Sequence, residues 1–151
     1  MKKDEIDYLV IGSGASGAAF SWKLSKNGAK VVCLEQGEFI DYDSYPKNKN
    51  TLEIDGFTKW NWNPNFRENK FDYPINNQNS PIHPLMYNSV GGSTIHWTAH
   101  TPRFHPSDFK VKTLDGVADD WPINYFDLEK YYDENDIMMG CSGISGDPAN
   151  P

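Results

Sequence analysis

At 151 residues the chain has the length of one domain, and the run of about 18 apolar residues that a membrane span requires occurs nowhere along it. Lys plus Arg number 14 and Asp plus Glu 21, giving a net charge of −7, the wrong sign for a surface that follows phosphate backbones, so nucleic acid is not an expected partner. A composition of 38% hydrophobic, 14% aromatic and 23% charged residues is enough for a core and excludes a charge-swollen disordered chain.

Cys33 and Cys141 are too few and too distant in sequence for a disulfide framework or a zinc site built from CxxC pairs. Met1-Lys2-Lys3 meets acidic residues at once, without the apolar stretch of a signal peptide, which points to a cytoplasmic start or to export with a partner subunit.

Residues 1–37 read as a βαβ unit. Tyr8-Leu9-Val10-Ile11 and Val31-Val32-Cys33-Leu34 are short continuous apolar runs, the pattern of strands buried on both faces of a parallel sheet. Between them Gly17, Ser21, Leu24 and Gly28 recur at helical spacing and offer a flat face to the sheet, while Lys23, Lys26 and Asn27 point to water; Gly28 suits the helix stop. From residue 38 to 81 the periodicity disappears, and Asn, Asp, Pro and aromatics dominate, as in Trp60-Asn61-Trp62-Asn63-Pro64-Asn65-Phe66. Such a long irregular insertion inside a domain is usually functional, and its Trp and Phe content favours packing, over a cofactor, as a lid or at a subunit contact; a carbohydrate-binding role for the aromatics is the weaker reading.

Residues 82–151 carry a second Gly-rich turn, Val90-Gly91-Gly92-Ser93-Thr94, and then a helix from Tyr125 to Met139 with Asn124 as cap, Asp127 and Glu129 at its positive end and Gly140 after it. The expected fold class is α/β, an incomplete Rossmann-like βαβ domain with a long aromatic- and Asn-rich insertion.

Gly12-Ser13-Gly14-Ala15-Ser16-Gly17 is a GxGxxG sequence, weak alone but placed here directly after a strand and at the opening of a helix, with Glu35 ending the second strand 18 residues past Gly17. Gly12 allows a tight turn, Gly14 lets a pyrophosphate reach the backbone, and Gly17 lets helix and strand approach. The helix N-terminus supplies N–H groups and partial positive charge to the phosphates. Glu35 suits ribose hydroxyls and repels a 2′-phosphate, which disfavours NADP. NAD and FAD share this grip. Glu35-Gln36-Gly37 leads into an irregular excursion and a second Gly-rich turn, not into further helix and strand units, and that suits the far end of FAD.

These residues resemble the glucose-methanol-choline (GMC) family of flavoprotein oxidoreductases. The likeness is carried by Asp7 to Gly17 with Glu35-Gln36-Gly37, by Val90-Gly91-Gly92-Ser93-Thr94 with Ile95-His96-Trp97-Thr98, and by Asp119-Asp120-Trp121-Pro122-Ile123 with Leu128, Tyr131-Tyr132 and Gly143-Ile144-Ser145-Gly146. The last group is most similar to the sugar and gluconate dehydrogenases and the pyranose oxidases. The resemblance implies the N-terminal FAD-binding portion of a longer enzyme that oxidises a CH–OH group of a sugar, polyol or other alcohol by hydride transfer to flavin, with or without a partner electron-transfer subunit.

In that family the catalytic His and its partner lie near the C-terminus, after a substrate domain with no counterpart here, so no catalytic residue is expected in this chain. The expected cofactor-binding residues are Gly12, Ser13, Gly14, Ala15, Ser16, Gly17, Glu35 and Gln36 at the adenosine and pyrophosphate end, and Gly91, Gly92, Ser93 and His96 at the flavin end. His96-Trp97-Thr98 stands where pyranose oxidases carry flavin on a His, so His96 either bears the flavin covalently or only contacts it. His96 and His100 are spaced i, i+4 with His105 beyond, but no carboxylate or Cys joins them at ligand spacing, and no metal is expected. An NAD-dependent Rossmann dehydrogenase and a non-catalytic dinucleotide-binding fragment are the alternatives.

Overall fold

A computed structural model describes residues 5–44, 60–67, 69, 72, 73, 75–144 and 146. Much of the irregular insertion, residues 45–59 with 68, 70, 71 and 74, and the end of the chain after residue 146 lie outside the described residues. The chain divides into two compact units, Met1–Thr98 and Ala99–Pro151.

In the first unit, strand β1 (Tyr8–Ile11) leads through the Gly12 turn into helix α1 (Ala15–Lys26), which returns to strand β2 (Val31–Leu34). β1 and β2 pair in parallel, Tyr8 opposite Val31, Leu9 opposite Val32, Val10 opposite Cys33 and Ile11 opposite Leu34. The helix connection is what a parallel pair demands, since no hairpin can join strands running the same way. The helix stops where the sequence turns polar: Asn27 is the C-cap and Gly28 follows at φ 88°, a left-handed conformation that glycine adopts without penalty. Gly17, Ser21 and Leu24 are the half-buried residues of α1, and the remainder of the helix is exposed.

One expectation fails. β1 and β2 are not buried on both faces: of β1 only Val10 is buried, β2 has no buried residue, and Leu9, Ile11 and Leu34 are 59%, 82% and 53% exposed. The described sheet has two strands and α1 covers one face, so the apolar runs lack the flanking strands and the second helical layer that cover a doubly wound sheet. This is an incomplete α/β domain.

After β2 the chain leaves the sheet but stays beside it. Glu38 forms a parallel bridge with Ser89, and the Val90 N–H donates to the Glu38 carbonyl at 3.1 Å. Here the approach is so close that a Cβ on Gly37 would stand 2.2 Å from the backbone nitrogen of Ser89. Tyr87, Asn88 and Ser89 are all buried.

The second unit is helical. A 3₁₀ helix, Pro106–Lys110, runs into the helix Val111–Asp115, and the long helix Tyr125–Met139 comes next. The Asn124 side chain accepts from the N–H groups of Phe126 and Asp127, Asp127 returns a bond to the Asn124 N–H, and Gly140 closes the helix at φ 70°. This reciprocal cap satisfies donors that the first turn leaves orphaned. Phe109 and Tyr125, 3% and 1% exposed, form the core, and an apolar cavity of about 240 Å³ lies beside it, lined by Phe104, Phe109, Trp121, Ile123, Leu128 and Tyr132. Arg103 ties the segment before the 3₁₀ helix to the long helix through Asp133 at 2.8 Å, Asp136 at 2.8 Å and the Tyr125 hydroxyl at 3.1 Å. No helix among the described residues is long and apolar enough to cross a membrane.

Candidate functional site

The two Gly-rich turns, 78 residues apart in sequence, meet in space. Gly12 takes φ 90° and its N–H donates to the Leu34 carbonyl at 2.7 Å, so the turn is anchored to the carboxyl end of β2. Gly14 is the N-cap of α1. It brings no side chain to bond the first N–H groups of the helix, and a Cβ built on it would meet no described atom within 4 Å. Open space therefore faces the glycine at an uncapped helix N-terminus, the arrangement an anionic phosphate fits. Gly17 is the opposite case, because its Cβ would lie 1.9 Å from the Gly12 carbonyl oxygen. Ala15 and Ser16 are exposed on the first turn.

Glu35 comes directly after β2, beside this turn. One carboxylate oxygen accepts from the Ser13 N–H and the Ser13 hydroxyl, both at 2.7 Å, and the other accepts from the N–H groups of Gln36 at 2.8 Å and Gly37 at 2.9 Å. The Gly37 N–H, the Ser13 hydroxyl and the Ser13 N–H are the main causes that hold the carboxyl well below its usual range, at about 2. These four donors fill the acceptor positions of one carboxylate. The Gln36 side-chain oxygen accepts from the Tyr73 hydroxyl at 2.7 Å.

Ser13 also reaches the second turn: its hydroxyl oxygen accepts from the Gly91 N–H at 3.0 Å. Gly91 sits in the left-handed region at φ 92° and opens a 3₁₀ helix, Gly92–His96. A Cβ on Gly92 would stand 3.5 Å from the Gly14 Cα, so the glycine pair brings the two turns into van der Waals contact. The Ser93 hydroxyl faces inward, accepting from the Tyr87 N–H at 3.0 Å.

His96 ends this 3₁₀ helix among aromatic rings. It meets Tyr87 edge-on at 4.6 Å between centroids and Trp62 at 6.0 Å, and its Nε2 is buried with no hydrogen-bond partner among the described residues. Burial first, and the positive charge of Arg67 second, hold the imidazole pKa below the ordinary 6.5. Among the described residues this buried nitrogen next to the second turn is an acceptor or donor still to be satisfied. His100 and His105 belong to the other unit, where the His105 N–H bonds the Asp108 side chain as part of the 3₁₀ cap.

The sequence-predicted residues Gly12, Ser13, Gly14, Glu35, Gly91, Gly92 and Ser93 thus lie in one connected patch, with His96 at its aromatic margin. Sequence reasoning missed Arg67, Asp72, Tyr87 and Tyr73. Arg67 is the only cation between Lys59 and Lys70, and a lone Arg with an Asp five residues on, inside an aromatic stretch, is the one signal that marked it. Asp119 and Asp120 serve a turn, bonding Lys112 and Thr113.

A family model described as an NAD(P)-binding Rossmann-like domain matches residues 10–80. The 2-methyl-1,2-propanediol dehydrogenase of Mycolicibacterium austroafricanum is 43% identical over 150 residues, 98% of this chain and 27% of that protein. The fructose dehydrogenase large subunit of Gluconobacter japonicus is 29% identical over 157 residues, 96% of this chain and 29% of that protein. The gluconate 2-dehydrogenase flavoprotein of Pantoea cypripedii is 24% identical over 165 residues, 92% of this chain and 26% of that protein. The chain therefore spans somewhat over a quarter of the length of these relatives.

Proposed function

Since the homologues of this chain are GMC-type oxidoreductases and its N-terminal half matches a Rossmann-like dinucleotide-binding domain, we propose that it is the FAD-binding portion of an oxidoreductase acting on a CH–OH group. The observation that carries this reading is the contact of the two Gly-rich turns through Ser13, which joins a dinucleotide grip to a second backbone cradle in one patch. The first turn serves a nicotinamide and a flavin dinucleotide alike, and on this reading the second turn is what the flavin cofactor adds. One relative is named a flavoprotein, which agrees with this choice, and the substrates in the relatives' names, a diol, a sugar, a sugar acid and a sterol, share an alcohol carbon.

On this reading the Gly12–Gly17 turn and the α1 N-terminus hold the pyrophosphate, with Ala15 and Ser16 contributing backbone N–H groups. Glu35, with Ser13 and Gln36 beside it, orients the adenosine ribose. Gly91, Gly92 and Ser93 approach the flavin end, and His96 is the residue that would carry the flavin through a ring nitrogen on its 8α-methyl carbon. Bound there, FAD supplies the hydride acceptor. The chain's own share is orientation and electrostatics. The base that takes the hydroxyl proton belongs to the substrate domain of the longer enzyme, and one relative's name as a large subunit supports adding a partner subunit, which on this reading takes the electrons.

The test is direct. Purified protein reconstituted with FAD should show flavin absorbance that survives desalting, and after acid precipitation flavin fluorescence should remain on the polypeptide and vanish in His96→Ala. Colourless protein that instead retains NADH would favour a nicotinamide enzyme. Free FAD in the acid supernatant would leave His96 a contact residue only.

A further inference from the structure

The cluster beside the second turn is not used by the nucleotide grip. Arg67, at the end of the short helix Pro64–Arg67, has its guanidinium bonded on several sides. Nε and Nη2 each donate to the Asp72 carboxylate at 2.8 Å, Nη1 donates to the Asn61 carbonyl, and Nη1 and Nη2 share the Met86 carbonyl at 3.2 and 3.1 Å. The side chains of Arg67 and Asp72 are 1% and 4% exposed. The guanidinium carbon lies 4.2 Å from the centre of the Tyr87 ring, and that ring in turn meets His96 at 4.6 Å.

A buried ion pair of this kind is a poor device for stability, because desolvating two charges offsets most of their attraction and an apolar pair would pack as well. What only a charge can do is act on a neighbouring group. Among the described residues, the titratable and charged groups on the His96 side of this cluster are Arg67, with Asp72 as its counter-ion, from the insertion, and Tyr87, from the segment before the turn; Trp62 adds a ring without charge. A neutral imidazole keeps a lone pair on one nitrogen, whereas an imidazolium has none and can neither bond a carbon nor accept a hydrogen bond.

We propose that Arg67 is the positioning residue for His96: clamped by Asp72 and stacked on Tyr87, it holds the ring against which the imidazole packs and keeps a permanent positive charge behind that ring, so that His96 meets the cofactor as a neutral ring. The proposal rests on the reading that the flavin end of the cofactor lies at the second turn. Asp72 is the moderator, since its negative charge offsets part of the field that Arg67 casts.

The experiment is a proton NMR titration of the four His rings in the protein without cofactor, His96 being assigned by the signal lost in His96→Gln. In Arg67→Gln the His96 midpoint should rise by about half a unit or more, with the effect of burial remaining. In Asp72→Asn it should fall further, because the guanidinium charge is no longer offset, and in Arg67→Lys it should stay low. Loss of packing alone exposes the ring and drives every variant upward, so the opposite signs separate charge from damage. A His96 midpoint unmoved in Arg67→Gln, or moved upward in Asp72→Asn, overturns the proposal; if Arg67→Gln does not fold, the sign in Asp72→Asn decides. Free FAD on acid precipitation of the wild type would end the covalent reading of His96 without touching this result, so the two can fail separately.

Discussion

Gly14 and Gly17 belong to one motif, yet substitution should affect them through different states of the protein. Gly14 has φ −62° and ψ −176°, backbone that any residue adopts, and a Cβ there meets nothing within 4 Å. Gly14→Val therefore adds a side chain to open space. The weaker capping of Val costs under about 1 kcal/mol, and the stiffer unfolded chain returns about 0.4 to 1 kcal/mol, so the free protein should change by less than about 0.5 kcal/mol. A phosphate oxygen must come within about 3 Å of the loop N–H groups, into the volume that the new methyls occupy, and FAD affinity should fall at least about 100-fold, roughly 2.7 kcal/mol.

Gly17→Ala should do the reverse. Its Cβ would lie 1.9 Å from the Gly12 carbonyl oxygen and 3.0 Å from the carbonyl carbon, so helix and turn must part by more than about 1 Å, an overpacking that costs at least about 1 to 3 kcal/mol. Urea unfolding of the cofactor-free proteins, set beside flavin content after reconstitution, reads both effects. A Gly14→Val protein that binds flavin like the wild type, or that loses as much stability as Gly17→Ala, would refute the assignment of this opening to phosphate.

Two further perturbations probe the joined turns and a third probes the second unit. Glu35 is held at about 2 in the folded chain against an ordinary 4.5, so the unfolded state takes up the proton first as pH falls; its stabilisation is complete above about pH 4.5 and is lost on the way to about 2. Urea midpoints measured across that window should drop in the wild type and drop less in Glu35→Gln. Ser13→Ala removes the hydroxyl that joins Glu35 to Gly91, which should cost about 1 to 2 kcal/mol and speed hydrogen exchange at the Gly91 amide; an unchanged rate there would show that the turns do not depend on this bridge. Asn124→Ala should destabilise the second unit by about 1 kcal/mol, seen as lower helical signal and an earlier thermal transition.

The βαβ unit was legible because its signals are local. Continuous apolar runs, a helical face of small residues and a capping Asn each act within a few residues, and Tyr8–Ile11, Val31–Leu34 and Tyr125–Met139 stand where the sequence puts them. The exposure of the strands was not legible, since an apolar run records the neighbours a strand is built to have and not those the chain contains. In the candidate site, the residues of the two Gly-rich turns could be named singly, but their contact depends on a bond spanning 78 residues that no spacing rule anticipates. Arg67 was hidden for a similar reason: its partners Asp72, Met86 and Tyr87 are scattered through irregular chain, where periodicity gives no register.

The bonds around Glu35 change what that residue can contribute. A carboxylate with free acceptor positions would gain two charged hydrogen bonds from a ribose, but here each oxygen already holds two protein donors. The backbone donors of Gln36 and Gly37 are fixed by the chain direction after β2, whereas the Ser13 hydroxyl can rotate, so it is the bond a ribose hydroxyl would replace. Exchanging one charged hydrogen bond for another nets little free energy, and on the proposed reading affinity for the dinucleotide would come mainly from its phosphates and from the flavin end. The carboxylate still discriminates, because a 2′-phosphate placed against it meets a like charge that no exchange of donors relieves. On the proposed reading, Glu35 would act as a selector of cofactor type more than as an anchor, and the hydroxyl it releases would remain on the turn assigned to the pyrophosphate.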